Sequence, residues 1–532
     1  MTSAMKVGIF NLGDVGSPHL ETQLEFVEEH ATRGDTVYLF GCRSELPTCA
    51  RNLRHDLYIC GCCIARRQAG ESLVSKHVIK LPLVRLSEHD RLTMARLKTD
   101  WEDAGSLEEY EFDGFEVGSA VLGLLVSDVR DPELNPHRHR QILRDMLLSA
   151  CAIYLSALNW IEALGLQVVY VQCGRAGTHR AVLRACATAG VECRVHERGH
   201  SPNTYGLWVN AMPHTIAYAV QRMRECWENS NPELKRARGA AYFENKVKGS
   251  GFGWYSYVKA QQSEALPAGW DTASRNVAVY TSSEDEFLGL GDEYRNPIYS
   301  DCAEGVRAIA RGLAVRGAGI RLYVRMHPHQ RLAPDRVTSE LRQMQEPNVT
   351  IIAPESNVSS YAMMQAAEKV LTFGSTVGIE AVYWGKPSIL AGKAIYQDLG
   401  ATYNAKTHDE VLDLVCSRLA PNPSEPALVY GNYYSSFGLP FKYYQGEDYV
   451  SGTFKGVDLS IMPTPARKYL SMVSSIRGAH FVLRWLGTVH RWLVRRRLRN
   501  HRPLDSGFLD NGTTWSVGKQ DGKDVCETPQ KG

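Results

Sequence analysis

The first residues able to do chemistry stand in the C-terminal half, at the ends of strand-like runs. Arg325 and His327 close the run Arg321–Met326 and share one of its faces, because side chains alternate along a strand. Pro328 follows and stiffens the turn that carries the imidazole. A histidine so placed donates a hydrogen bond to a phosphate oxygen or protonates a leaving phosphate. Further on, Gly374-Ser375-Thr376 breaks the run Lys369–Phe373 and opens a helix whose unpaired N–H groups and dipole favour an anion. Glu380 lies four residues after Thr376, on the same helical face, and a carboxylate that accepts two hydrogen bonds suits a ribose diol. Upstream, Thr281-Ser282-Ser283 follows the run Val277–Tyr280, and its small hydroxyl side chains let backbone and donors approach a phosphate. Together these residues describe a nucleotide site.

Two further sets stand in the N-terminal half. Glu197 sits at the end of the run Cys193–Arg198, before Gly199, on the face opposite His196 and Arg198. It reads equally as a general base for an acceptor hydroxyl and as a surface carboxylate paired with an arginine. Cys42, Cys49, Cys60 and Cys63, with Cys62 alongside, hold a C-x-x-C pair and two upstream thiols. Four converging thiolates suit a tetrahedral zinc ion, an iron–sulfur cluster uses similar ligands, and buried unligated thiols are the alternative.

Elements of α/β type must position these residues. Strands alternate with helices in both halves, which calls for parallel sheets, and in such sheets polar residues just past the strand ends meet ligands. The chain of 532 residues exceeds one core. The expected division is an N-terminal Rossmann-like domain over residues 1–265, a C-terminal nucleotide-binding domain over 276–430, an extension over 431–502 and a disordered tail over 503–532. The helical spacing of Leu143, Met146, Leu147, Ala150 and Tyr154 predicts a core helix from His137 to Leu164. Pro202–Tyr205 is expected as a loop, Gly249–Tyr257 as a bridge between the halves, and residues 87–135 show no organising pattern.

A net charge of +2, with 44% hydrophobic and 22% charged residues, is ordinary for a globular protein and gives no sign of nucleic acid as a partner. No uninterrupted apolar run reaches the ~18 residues a membrane span needs. The start runs directly into a strand without the apolar core of a signal peptide, and thirteen cysteines, an odd number, fit a reducing compartment. A cytoplasmic location is expected. From Leu459 to Leu504 there is no acidic residue, while Phe481, Trp485, Val489 and Trp492 recur among arginines. That pattern predicts a basic amphipathic helix that lies on an anionic inner-membrane surface or packs back on the protein.

The order Glu197-Arg-Gly, Thr281-Ser-Ser-x-Asp-Glu286, Arg325-x-His-Pro, Gly374-Ser-Thr-x-Gly-x-Glu380 and Gly-Lys-Pro387 resembles that of bacterial capsule and surface-polysaccharide glycosyltransferases. In style it is similar to the Kdo transferases and sialyltransferases that use CMP-activated acidic sugars. The resemblance implies a GT-B fold, two Rossmann-like domains facing a cleft. It implies Glu197 at the catalytic base, and His327 on the nucleotide phosphate. Ser375 and Thr376 would hold phosphate or ribose, with Ser282, Ser283, Arg325 and Glu380 also on the donor. The cysteine set, read as Cys49, Asn52, Cys60, Cys63 and Arg66, is similar to one in some bacterial surface-polysaccharide proteins, where a structural role is expected. Where many relatives have an acidic residue before the glycine, this chain has Arg198. The reaction so implied is an inverting, metal-independent transfer from a nucleotide sugar to a glycan or lipid-linked acceptor. An epimerase of the same fold and a non-catalytic scaffold of a polysaccharide export complex are the alternatives.

Overall fold

The computed structural model describes residues 4–13, 16–249, 261–262, 264–332 and 335–460, with the strands Val517–Gln520 and Lys523–Cys526. The expected bridge beyond Gly249, the basic helix beyond Ser460 and most of the 503–532 tail lie outside the described residues. Within that tail Val517–Gln520 pairs antiparallel with Lys523–Cys526.

The chain folds as two compact units, one of residues 1–124, 135–213 and 438 onward, the other of residues 125–134 and 214–437. The division therefore falls at 213/214, not near 265, and the segment after 437 returns to the first unit instead of forming a separate extension. The reason is packing. Helices Ile216–Asn229 and Pro232–Val247 pack on the helix Glu425–Tyr434 of the second unit, through a cluster that includes Met223, Tyr242, Phe243 and Tyr430.

In the first unit, strands β1 (Lys6–Asn11), β2 (Thr36–Gly41), β3 (Ile79–Pro82), β4 (Val168–Gln172) and β5 (Glu192–Arg198) are parallel, in the spatial order β5-β4-β1-β2-β3. The central strands β1, β2 and β4 are buried on both faces, as parallel strands covered by helices must be. β6 (Thr204–Val209) turns back antiparallel on β5, so Pro202–Tyr205 runs from a turn into a strand and is not wholly loop. Helix Arg140–Leu164 fills the core with Leu143, Leu147, Ala150 and Tyr154, each fully buried. By length and composition the stretch Pro136–Leu164 is able to cross a membrane, but two thirds of its apolar window is buried inside the protein. Gly165, at φ +62°, ends that helix in the left-handed conformation that glycine adopts without cost.

In the second unit β7 (Arg275–Tyr280), β8 (Ile320–Arg325), β9 (Val349–Ile352), β10 (Lys369–Thr372), β11 (Ser388–Leu390) and β12 (Tyr403–Asn404) are all parallel, in the order β12-β11-β10-β7-β8-β9. The strand order reverses between β7 and β10, where open parallel sheets form their ligand crevice. Lys369, 1% exposed, is structural: its ammonium reaches the carbonyls of Leu414, Val415 and Ser417 at the end of helix His408–Cys416. The expected pair of Rossmann-like parallel sheets is therefore present, one in each unit. A short strand β13 (Leu439–Pro440) pairs antiparallel with β6 and returns the chain to the first sheet.

Candidate functional site

Three loops meet at the C-terminal ends of adjacent strands β8, β7 and β10. The hydroxyl of Thr281, just after β7, accepts the backbone N–H of His327 at 3.0 Å and donates to Gln330 Oε1 at 3.0 Å. Gln330 Oε1 also accepts the His327 N–H at 3.0 Å, which locks the turn holding the imidazole. Gly374, just after β10, approaches the same place. A Cβ there would lie 2.7 Å from the Lys393 carbonyl oxygen and 3.4 Å from Ser282 Oγ, so no larger residue fits without displacing backbone. Ser282 is 5% exposed, and its hydroxyl has no hydrogen-bond partner among the described residues. A buried hydroxyl left unpaired costs roughly 1–3 kcal/mol and calls for an explanation such as a ligand.

The side chains expected to bind a nucleotide divide into two groups. Ser282, His327 and Ser375 stand at the converging loops, and Ser375 Oγ accepts the Val377 N–H at 3.3 Å, leaving its own hydrogen to donate elsewhere. His327 accepts the His329 N–H on Nδ1 at 3.3 Å, which puts its ring proton on Nε2. Burial, with His329 alongside, pushes its pKa down to about 4. It is therefore a neutral donor at neutral pH rather than an acid that protonates a leaving phosphate.

The second group is committed to the protein itself. Arg325 is buried, and its guanidinium donates to the carbonyls of Ala353 at 2.8 Å and Ser356 at 2.9 Å, which fastens the loop after β9, while its Nε has no hydrogen-bond partner among the described residues. Ser283 donates to Asp285. Thr376 donates to Glu380 Oε1 at 3.1 Å. Glu380, 4% exposed, also accepts Lys246 Nζ on Oε1 at 2.6 Å and the Tyr361 hydroxyl on Oε2 at 2.5 Å. Three donors on a buried carboxylate leave too little capacity for a bidentate ribose contact. Helix Val377–Tyr383 has only seven residues, so this loop offers local donors rather than the field of a long helix.

The sequence reading passed over His329 and Glu286 as functional groups. One ligand atom from each of Glu286, His327 and His329 lies within 4.8 Å of the others, a set able to hold a metal ion. Glu286 and His329 hydrogen-bond one another. The signal was in the sequence: a second histidine two residues after the first, and an acidic residue in the loop after β7.

In the first unit Glu197 is the next-to-last residue of β5, with its side chain 26% exposed. Gln172, the last residue of β4, donates to Glu197 Oε2 at 2.9 Å, and His19 Nδ1 lies 3.6 Å from Oε1. His19 is buried, and burial with Arg198 nearby holds its pKa well below the ordinary histidine value. A carboxylate beside a neutral imidazole is an arrangement able to take a proton from a hydroxyl. His19 was missed because it follows Ser17-Pro18 at a helix start, with nothing in its spacing to link it to Glu197. Arg198, in place of the acidic residue of the resembling family, is a clamp on backbone, bonding the carbonyls of Tyr449 at 2.8 Å and Ser17 at 2.5 Å.

Cys42, Cys49, Cys60 and Cys63 line one partly open pocket in the same unit. Burial pushes the thiols of Cys42 and Cys49 above the ordinary range. No disulfide joins any of the described cysteines.

Comparison with known proteins bears on the second unit. Residues 297–419, under a quarter of the chain, match the sequence model of a family described as capsule polysaccharide biosynthesis protein. The matched stretch holds Arg325, His327, Ser375, Thr376 and Glu380. No curated protein matches the chain. Among solved structures, the KpsC β-Kdo 2,4 transferase of Thermosulfurimonas dismutans is similar at 16% identity over 51% of this chain and 79% of its own, with a TM-score of 0.34. The KpsC β-Kdo 2,7 transferase of the same organism is similar at 14% over 52% and 78%, TM-score 0.30. The UDP-GlcNAc 2-epimerase of Methanocaldococcus jannaschii is similar at 10% over 81% and 98%, TM-score 0.26. The resemblance to capsule polysaccharide biosynthesis proteins, first carried by motifs, thus rests on the segment that bears the His327 and Ser375 loops.

Proposed function

We propose that this protein is a glycosyltransferase of capsule or related surface-polysaccharide biosynthesis, transferring a sugar from a nucleotide sugar to a glycan or lipid-linked acceptor. The observation that carries the reading is the buried, unpartnered Ser282 hydroxyl against Gly374, at the strand-order reversal between β7 and β10. The family match over residues 297–419 supports the biosynthetic process.

In this reading the donor's phosphate lies among Ser282, Ser375 and the Nε2–H of neutral His327. These donors stabilise the charge that develops on the leaving phosphate as the glycosidic bond breaks, and the transfer needs no metal. Glu197 takes the proton from the acceptor hydroxyl, whose oxygen attacks the anomeric carbon from the side opposite the phosphate, with inversion. Arg325, Thr376 and Glu380 act behind this set by holding the loops. A CMP-sugar such as CMP-Kdo is the favoured donor, in keeping with the motif resemblance. The enzyme works in the cytoplasm at the inner membrane, towards which the basic stretch between Arg467 and Arg502 draws it.

The test is thermal unfolding with CMP, UDP and GDP in turn, followed by nucleotide release from the matching donor sugar with and without acceptor glycan. CMP should raise the melting temperature most, and release should require acceptor. A protein stabilised by none of the three, or one that frees sugar from nucleotide equally well without acceptor, would refute the reading.

A further inference from the structure

The cysteine pocket of the first unit lies outside the proposed transfer chemistry, and three separate segments build it. Cys42 directly follows β2. Cys49 lies in a tight turn closed by paired backbone bonds with Asn52, 2.9 Å from Asn52 N to Cys49 O and 3.4 Å in return. Cys60 and Cys63 stand one turn apart on helix Leu57–Glu71, on one face. Gly13, at φ +100°, brings a fourth segment so close that a Cβ there would lie 3.3 Å from Cys49 Sγ.

Donors surround these sulfurs. Asn52 Nδ2 donates to Cys60 Sγ at 3.3 Å. The backbone N–H groups of Arg51 and Asn52 face Cys49, and that of Ser44, at φ +71°, faces Cys42. Neutral thiols are weak acceptors and do not call for such an array, whereas thiolates bound to a metal do. Leu12, Leu46, Ile59 and Ile64 complete the walls and limit water.

We propose that Cys42, Cys49, Cys60 and Cys63 ligate a four-iron, four-sulfide cluster in this pocket. The choice over zinc is geometric. Tetrahedral zinc with Zn–S bonds of about 2.3 Å holds its four sulfurs about 3.8 Å apart. Among the described residues, no three of these sulfurs lie within 4.8 Å of one another. An iron–sulfur cube carries one thiolate on each of four iron corners and holds them wider apart, around a body that fills space. All four cysteines line the one pocket in which that body would sit. The cluster arrives assembled, by ligand exchange from a thiol-based carrier. Four carrier S–Fe bonds break, four cysteine S–Fe bonds form, and the carrier thiolates take up the protons the cysteines release, with no change in oxidation state. Once bound it staples the Cys42 segment, the Cys49 turn and the Leu57–Glu71 helix together.

The experiment is anaerobic purification of the full-length chain, with iron, acid-labile sulfide and zinc measured alongside visible absorption. About four irons and four sulfides per chain are expected, with broad sulfur-to-iron absorption bleached by dithionite. Cys60→Ser and Cys49→Ser should each lose iron, while Cys226→Ser, in the other unit, should retain it. One zinc per chain without iron would overturn the proposal, as would wild-type protein that carries neither metal when isolated from iron-replete cells. The wild-type metal content decides the question even if a serine variant fails to fold.

Discussion

Lys246 Nζ lies 2.6 Å from Glu380 Oε1, and this ion pair ties helix Pro232–Val247 to the helix that follows the Gly374-Ser375-Thr376 loop. The pair draws the Lys246 pKa upward, with Glu380 the opposing charge, although burial acts the other way. Glu380 is buried but the Lys246 side chain is 26% exposed, so removing the lysine leaves an uncompensated carboxylate at a cost below the about 3–5 kcal/mol of a wholly buried pair. Lys246→Met should therefore lower the urea midpoint by less than that equivalent, while the double variant with Glu380→Gln recovers part of the loss. Equal and additive losses would show that the pair is not coupled.

His327→Ala should lower kcat by about 100-fold, as removal of one donor to a developing oxyanion does, with circular dichroism unchanged. Because burial lowers the imidazole pKa to about 4, the neutral donor persists above that value. The acidic limb of the His327-dependent rate should then fall near pH 4, not near 6.5. A limb at 6.5 in wild type, absent from His327→Asn, would contradict the neutral-donor role.

Glu197→Gln keeps the size of the side chain and its contact with Gln172 but cannot accept a proton. It should cost kcat at least 100-fold while leaving donor KM within a few-fold. Full turnover in this variant would move the base elsewhere, and His19, 3.6 Å away, is the next group to test.

Stability should fall in acid through a buried histidine on the strand that carries Glu197. His196 is fully buried in the first sheet, its Nε2 3.3 Å from Gln23 Nε2, and burial pushes its pKa down to about 3. The folded form refuses the proton that an unfolded histidine takes up below about 6.5. Stability is then flat above pH 6.5 and declines as pH falls from 6.5 towards 3, by roughly 1.4 kcal/mol per pH unit for this group. His196→Gln should reduce that slope in melting curves taken across the interval.

The parallel strands were readable because each is a short apolar run bounded by turn residues, and the core helix expected from His137 to Leu164 is found at Arg140–Leu164. The stretch from Ser87 to Asn135 resisted reading because its order comes from short polar caps. Ser87 and Asp90 cap a seven-residue helix reciprocally, and Asp103 caps one of five. The site was legible as positions past strand ends, so Ser282, His327 and Ser375 were found together. Spacing could not reveal where a side chain's hydrogen bonds go. Arg325 and Glu380 have the right types at the right places, yet their partners are Ala353, Ser356, Lys246 and Tyr361. The domain boundary was misplaced for a similar reason, since helix Pro232–Val247 carries no mark of which core it joins.

The return of the chain to the first unit after residue 437 sets an order of events during synthesis. Glu25, fully buried in helix His19–Arg33, accepts the backbone N–H of Tyr443 at 3.2 Å, and Arg66 donates to the carbonyl of Leu459 at 3.1 Å. Residues 1–213 therefore leave the ribosome with the Glu25 carboxylate lacking its backbone donors and with Arg66, held by Glu21 and Ser17, still lacking the Leu459 carbonyl. Residues 214–437 run uninterrupted and find most of their sheet within themselves. The unit that begins first is the one completed last, and the cysteine pocket and Glu197 wait with it.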